Sequence, residues 1–464
     1  MLELLLTSFL GAISAYGFFN PAASFLIPLC LFLFIYINKE ISVTKFGLFF
    51  SSLNIFGSLW LLVPIHFIGG VNYTFSIFII ILLGSFMGSI YALIFKFMQR
   101  FFEHSTKVIF IIPTTIIISE FIKSHIIGGY PFLLYGYYFI DSFLKMIIPF
   151  MGLYGCSWLL ATLCCLVAYS LQEKKYIILI SIVSILFFFK VLNLEFPIFV
   201  MNQDKLNLYI VHTDNHYPSK HSKKPPSIKI NKKVDITLYP ETMFKHTSQI
   251  PVTQSNYILT GLITYDKDKN GFYNTMIGIN NEHKIDFIHK KHHLAQFNEW
   301  IPNYIQIILK SLNLPYHGFI AGNGLDTNGE FKHTKFMSTI CYEMLFTNFI
   351  YKNIKDSNII FSINDLGWFE KSMFENHFYQ ITRFMSALTQ KPIVISSNVG
   401  PSAIIDANGN TTFFTENVFV KVKPNIGNTP WMIYGDNLIF NLIFIINFLI
   451  YALTKKTSLK EFVK

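Results

Sequence analysis

Three residue types that together can run nucleophilic acyl chemistry stand out in this chain: Cys341 in the stretch TICYEMLF, Glu241 in LYPETMF and Lys291 in HKKHHLAQFNEW. A strand-like run stops at Cys341 and a helix-compatible run follows it, so the sulfur is expected at a strand-to-helix turn. There a nucleophile is exposed, and a helix N-terminus and nearby cations favour the thiolate. An ordinary thiol with a pKa of about 8.5 is only a few per cent ionised at neutral pH. A base or a shifted pKa is therefore needed, and a carboxylate within reach would supply the base. Taken singly, each residue has a plainer reading: a buried cysteine as packing, a Pro-Glu pair as a turn, a lysine among histidines as a basic loop. His289, His292 and His293 do not make a metal site on spacing, because two are adjacent and no carboxylate or cysteine spacing completes a closed set. Neither metal nor cofactor is expected.

The elements that must position these residues lie in an unusual chain. Of 464 residues, 52% are hydrophobic and 17% aromatic, while only 14% are charged, which falls outside ordinary soluble composition. Largely apolar runs long enough to cross a hydrocarbon core occur near 4–19, 22–37, 46–67, 75–97, 108–125, 149–171, 176–192 and 438–453. About eight transmembrane helices are thus expected. The first run lacks a basic start and is followed at once by further spans, so it reads as a retained helix and not a cleaved signal. Lys39 and Lys45, then Lys96, Arg100 and Lys107, then Lys174 and Lys175, then Lys455, Lys456 and Lys460 fall in every second connection and the tail. By the positive-inside rule these are cytoplasmic, as are both termini. No span shows a buried charge pair suited to transport, and Glu120 near a helix end is the one acidic residue to watch.

Three segments follow: an N-terminal membrane domain over 1–192 with about seven helices, an extracytoplasmic domain over 193–436, and a last helix with a cytoplasmic tail over 437–464. Cys341 is the only cysteine of the external domain, so it has no partner there for a disulfide. Cys30, Cys156, Cys164 and Cys165 lie in membrane runs as small packing residues. The net charge of +10 comes from the cytoplasmic loops and the run KHSKKPPSIKINKK at 220–233. Beside a membrane that charge meets anionic head groups, and a nucleic-acid partner is not expected. Within the external domain, LNLYIVHT, VDITLYPE, YILTGLITY, YNTMIGI, FMSTICYE, NIIFSIND, PIVISSN and SAIIDANG read as strands. MLFTNFIYKNI and ENHFYQITRFMSALTQ read as helices between them, which indicates a layered α/β fold.

A glutamate after the second strand, then a lysine, then a cysteine at an elbow, in that order along an α/β chain, resembles the nitrilase or carbon-nitrogen hydrolase superfamily and its Glu-Lys-Cys triad. With membrane helices on both sides, the resemblance narrows to the apolipoprotein N-acyltransferase family. The motifs GGYPFLLYGY, YPE, YNT, HKKHHLAQFNEWIP, ICYE, WFEKS and IGNTPW follow in family order across nearly the whole chain. The resemblance implies an αββα sandwich for the external domain, with Glu241 as general base, Lys291 as oxyanion-stabilising cation and Cys341 as nucleophile. Lys291 is preferred to Lys290 because the family places its lysine two residues before His-Leu, here His293 and Leu294, and eight before a second important glutamate, here Glu299. Glu343 matches the glutamate of the family's Cys-Tyr-Glu, and Tyr342 and Asn274 are supporting candidates. Departures exist: Tyr239 replaces a tryptophan, AQFNE at 295–299 replaces Val-Pro-Phe-Gly-Glu with Asn298 in the glycine position, INDLGWF carries an extra residue around Asn364 and Asp365, and Ile395 stands for an arginine.

The implied activity is acyl transfer from a membrane phospholipid, through a thioester, to the α-amine of a diacylglyceryl apolipoprotein. The implied location is the bacterial inner membrane, with the catalytic domain on the periplasmic side and the protein a monomer. The aromatic loop 130–138 and the segment 297–304 are expected at the membrane interface. Two rival readings stand beside this one: a membrane-anchored amidase that passes the acyl group to water, and a transporter or structural membrane protein with an external domain.

Overall fold

The computed structural model describes residues 1–38, 40–100, 107–192, 199–213, 234–251, 255–296, 299–301, 306–307, 311, 318–369 and 372–462. The chain divides into two compact units, Met1–Pro197 with Ile433–Lys464, and Ile198–Met432.

The first unit is helical: α1 (Leu2–Phe19), α2 (Leu26–Ile37), α3 (Val43–Gly57), α4 (Tyr73–Met98), α5 (Lys107–His125), α6 (Ile148–Gln172) and α7 (Tyr176–Leu192), closed by the helix Pro430–Phe462. A helix therefore stands at each of the eight expected places. Among the described residues, five segments are long and apolar enough to span a membrane: Leu2–Phe19, Val43–Ile68, Tyr73–Met98, Lys145–Gln172 and Pro430–Leu449. The helices at α2 and α7 are apolar but shorter, and α5 carries Pro113 together with Glu120 and Lys123. Many large side chains on these helices, among them Phe9, Leu93, Ile177 and Phe444, are exposed, as a lipid-facing surface requires. Where helices meet, small residues let backbones close up. A Cβ on Gly88 of α4 would come within 2.5 Å of the Ser51 backbone on α3, and one on Gly84 within 2.6 Å of the Ile55 backbone.

Two sequence expectations change here. The aromatic loop is buried inside this helical unit: Tyr130, Phe132, Leu133, Leu134, Tyr135, Tyr137 and Phe139 are almost wholly enclosed. Its backbone polar groups need partners, and α5 provides them. Glu120 Oε1 accepts the Tyr135 N–H at 2.7 Å, and Lys123 Nζ donates to the Phe132 carbonyl at 2.8 Å and to Asn54 Oδ1 of α3 at 3.2 Å. Both charged residues are fully buried one turn apart: Glu120 stands out in the sequence, but a buried base beside it is not expected from it.

The second unit is built on two six-stranded mixed sheets and a short ribbon. Its strands are β1 (Met201–Asn202), β2 (Leu206–Ile210), β3 (Val234–Leu238), β4 (Ser255–Asp266), β5 (Gly271–Asn280), β6 (Ile285–Lys290), β7 (Asn328–Phe331), β8 (Thr334–Ile340), β9 (Ile359–Asn364), β10 (Ile393–Ser397), β11 (Ser402–Ile405), β12 (Thr411–Phe414), β13 (Val418–Val422) and β14 (Asn425–Ile426). One sheet runs β13-β2-β3-β4-β5-β6 and the other β12-β11-β10-β9-β8-β7, while β1 pairs with β14. Each has a parallel centre, β2-β3-β4 and β8-β9-β10, whose strands are buried and rich in Ile, Val and Leu, with antiparallel flanks. The sheets face one another through aromatic side chains: Tyr257 of β4 meets Phe331 and Phe336, and Phe287 of β6 meets Phe336 at 5.2 Å between ring centres. The helices Thr347–Asn353 and Phe374–Thr389 follow β8 and β9. The second is amphipathic in sequence, yet most of it is buried.

Candidate active site

Parallel strands deliver their following residues to one edge of a sheet, where backbone groups are free of the ladder and ligands are usually held. Glu241 comes three residues after β3, and Cys341, Asp365 and Asn398 are each the first residue after β8, β9 and β10. Two turns here are strained: Cys341 and the β-branched Thr242 both have φ of 49°, a region that residues other than glycine rarely occupy and that concentrates at functional sites. The Glu241 turn lies close on β4 because position 261 is glycine. A Cβ there would fall 2.8 Å from Glu241 Cα and 2.6 Å from Thr242 N. Asn398 Nδ2 donates to the Glu241 carbonyl, and its own Oδ1 accepts from Thr213 Oγ1 at 3.0 Å.

Lys291 follows β6, and its backbone N–H still bonds the Asn274 carbonyl of β5 at 2.8 Å. Its ammonium lies between two carboxylates, 3.2 Å from Glu241 Oε1 and 2.8 Å from Glu299 Oε2. Asn274 Nδ2 bridges the same pair, donating to Glu241 Oε1 at 2.7 Å and Glu299 Oε1 at 2.9 Å. Glu299 Oε2 also accepts the Ala295 N–H at 2.8 Å. All four side chains are buried. Lys290 points elsewhere: it is partly exposed, with its ammonium 4.1 Å above the Tyr273 ring.

Burial raises the Glu241 carboxyl to about 7; Lys291 pulls it down, while Glu299 and Asp365 push it up. Burial works against the Lys291 charge, but Glu241, Glu299 and Cys341 more than offset it, so this lysine stays cationic. Burial, with the charge of Glu241, also drives the Cys341 thiol well above its usual value, against the pull of Lys291 and of the Asp365 backbone N–H that donates to it. The resting sulfur is therefore a thiol, and a carboxylate that titrates near neutrality stands close enough to influence it. That combination suits proton abstraction concerted with nucleophilic attack.

The structure thus brings together Glu241, Lys291, Cys341, Glu299 and Asn274. Tyr342 and Glu343 sit on the turn Cys341–Leu345 and have contacts of their own: the Tyr342 ring packs edge-on against Phe346 at 5.1 Å. Glu343 is fully buried and accepts the Ile340 N–H (2.8 Å), the His292 N–H (2.6 Å) and a bond from His289 Nε2 (2.8 Å). Burial opposes its charge, but His289 and the two backbone donors hold its carboxyl below the usual range. The other two histidines have separate contacts, His292 Nδ1 with the Gly322 carbonyl and His293 stacked on Phe346 at 4.0 Å. Among the described residues, no three of His, Cys, Asp and Glu are placed to hold a metal ion. Phe297 and Asn298 lie outside the described residues, as does the basic run 220–233. Asn398 and Gly261 were not singled out from sequence, and His289 was considered there only as one of three histidines that do not make a metal site; the only other signal was that each interrupts or ends an apolar strand pattern.

Residues 220–418 match the family model for carbon-nitrogen hydrolases, and residues 10–166 match that for the apolipoprotein N-acyltransferase N-terminal domain. Between them the two models account for well over half of the chain, in the order that the site and the helices require. The chain belongs to the apolipoprotein N-acyltransferase family. Named relatives extend along nearly its whole length. The apolipoprotein N-acyltransferase of Wigglesworthia glossinidia brevipalpis is 27% identical over 97% of this chain and 98% of its own. That of Haemophilus influenzae is 24% identical over 83% of this chain and 82% of its own. The α/β unit is accordingly a nitrilase-like domain of this acyltransferase family.

Proposed function

We propose that this chain is an apolipoprotein N-acyltransferase that moves an acyl group from a membrane phospholipid to the α-amine of a lipoprotein's N-terminal diacylglyceryl-cysteine, through a thioester on Cys341. The observation that carries this reading is the buried Lys291 held between Glu241 and Glu299 within electrostatic reach of the Cys341 thiol, in a chain with the family's membrane domain. Glu241 takes the thiol proton as sulfur attacks the ester carbonyl, and Lys291 stabilises the oxyanion. Collapse expels the lysophospholipid alkoxide, which takes the proton from Glu241. In the second half the amine attacks the thioester, Glu241 accepts an amine proton, and the thiolate leaves and is reprotonated. The two lipid substrates bind in turn, so the kinetics are ping-pong.

Because Glu241 acts in its ionised form and its carboxyl is raised to about 7, the rate of Cys341 acylation is expected to rise with pH and level off above neutrality. The midpoint belongs to the coupled cluster and not to one residue. A single-turnover pH profile measures this, and a rate already at its plateau near pH 5 would remove Glu241 from the role of base.

The proposed address is a bacterial inner membrane, with the nitrilase-like unit on the outer side and both termini in the cytoplasm. It rests on the alternation of lysine and arginine among the short connections. A reporter fused after Glu195 is expected outside and one fused after Lys456 inside; the reverse would put the site on the wrong side for its substrates. Mass spectrometry of a lipoprotein N-terminus with and without the protein tests the reaction itself. N-acylated peptide is the expected product, and free fatty acid in its place would favour the amidase reading.

A further inference from the structure

The strand β6 alternates outward Ile288 with inward Phe287 and His289. Phe287 makes the inter-sheet contact that its position calls for, whereas His289, 1% exposed, puts a ring nitrogen where a hydrophobe would otherwise pack. Its Nε2 lies 2.8 Å from Glu343 Oε2. A carboxylate in that place can only accept, so His289 donates from Nε2–H. Glu343 takes its other bonds from two backbone groups: Ile340 N–H at 2.8 Å, immediately before Cys341, and His292 N–H at 2.6 Å, immediately after Lys291. One buried carboxylate thus joins the residues on either side of Lys291, through His289 and His292, to the residues on either side of Cys341, through Ile340 and Glu343 itself. Beside the Phe287–Phe336 ring contact, these hydrogen bonds tie the nucleophile elbow to the lysine strand through that one group.

We infer that His289 is a positioning residue for acyl transfer: by donating to Glu343 it fixes the Cys341 elbow against Lys291. This rests on the assignment of Cys341 and Lys291 to the reaction. His289 touches neither the sulfur nor the ammonium and acts entirely through Glu343. Without its N–H, Glu343 keeps only backbone donors, and the elbow is free to shift relative to the lysine. A displacement of about 1 Å in a reacting group costs roughly 10²-fold in rate.

The full-length protein in detergent, supplied with phospholipid and then with a diacylated lipopeptide, provides the test. His289→Leu is expected to slow both Cys341 acylation and its discharge to the lipopeptide about 10²-fold, so that KM for the lipopeptide stays within about twofold of the unsubstituted protein. His289→Gln, whose side-chain amide reaches the place of Nε2, is expected to restore the rate to within about fivefold. If His289→Leu does not accumulate in folded form, His289→Asn replaces it with the same expected loss, since its shorter amide stops short of Glu343. Acylation at the unsubstituted rate in His289→Leu, or a His289→Gln protein as slow as His289→Leu, overturns the inference. Cys341→Ala run in parallel separates the two levels. If it is inactive while His289→Leu is fully active, the inference alone fails. If it still N-acylates, the assignment of the nucleophile fails and takes the inference with it.

Discussion

Given phospholipid and no acceptor, the purified protein is expected to accumulate one acyl group on Cys341, released by neutral hydroxylamine and discharged into an amide when a diacylated lipopeptide with a free amine is added. Cys341 is placed for this by its left-handed elbow after β8, its closeness to Lys291 and Glu241, and the absence of any other cysteine in its unit. Cys341→Ala should abolish both labelling and transfer. The four remaining cysteines, all buried in the helical unit, should make no difference. Intact-mass measurement after a short incubation reads the outcome directly. Continued N-acylation by Cys341→Ala would leave this cysteine as packing and the resemblance as fold without its chemistry.

The second large effect is expected at the charged cluster. Glu241→Gln should slow Cys341 acylation by about 10² to 10⁴-fold, the usual range for a general base, with little change in melting temperature because Gln keeps an oxygen for the Asn274 bond. Lys291→Met should cost a comparable amount for two reasons. The oxyanion loses its cation, and Glu241 and Glu299 are left as neighbouring carboxylates that resist joint ionisation. The pH profile of Lys291→Met should therefore move to higher pH as well as fall in height. Lys290→Met should retain activity, since its ammonium lies over Tyr273, outside the cluster. Equal losses at both lysines would mean that the lysine assignment is wrong. Single-turnover acylation rates for the three variants make the comparison.

Much of this site was readable before any geometry. The strands that precede Glu241 and Cys341, Val234–Leu238 and Thr334–Ile340, are short mixed runs of β-branched and other apolar residues that are almost wholly buried, and the turn residues that follow them carry the chemistry. The strand that delivers Lys291 was not readable. In Ile285–Lys290 the inward positions hold Phe287 and His289, so the hydrophobic alternation is broken by the residue that Glu343 engages across the sheets. A pattern rule sees His289 as a flaw because its partner lies far along the sequence. Glu299 and Asn274 were named through family motifs, but only the fold shows that both meet Lys291. The aromatic loop misled for a related reason. Its rings match those of an interfacial belt, and nothing local reveals that Glu120 and Lys123 of the preceding helix satisfy its backbone inside the bundle.

That last arrangement bears on how the helical unit is made. On insertion scales an acidic or basic residue costs most, about 2.5 to 3.5 kcal/mol, at the middle of a lone helix and less toward its end, and α5 carries one of each, Glu120 and Lys123, in its last turns. The groups that compensate them come from both directions along the chain: Asn54 from α3, synthesised earlier, and the backbone of Phe132 and Tyr135, synthesised later. During synthesis, then, α5 is the helix least able to hold its place alone, and a nascent chain stopped just after it lacks half of what that helix needs. The unit is expected to assemble by retaining α3 and α4 beside the insertion machinery until the loop behind α5 folds back. A substitution at Lys123 would then show itself first as failed biogenesis, with less protein in the membrane, and only afterwards as any change in catalysis.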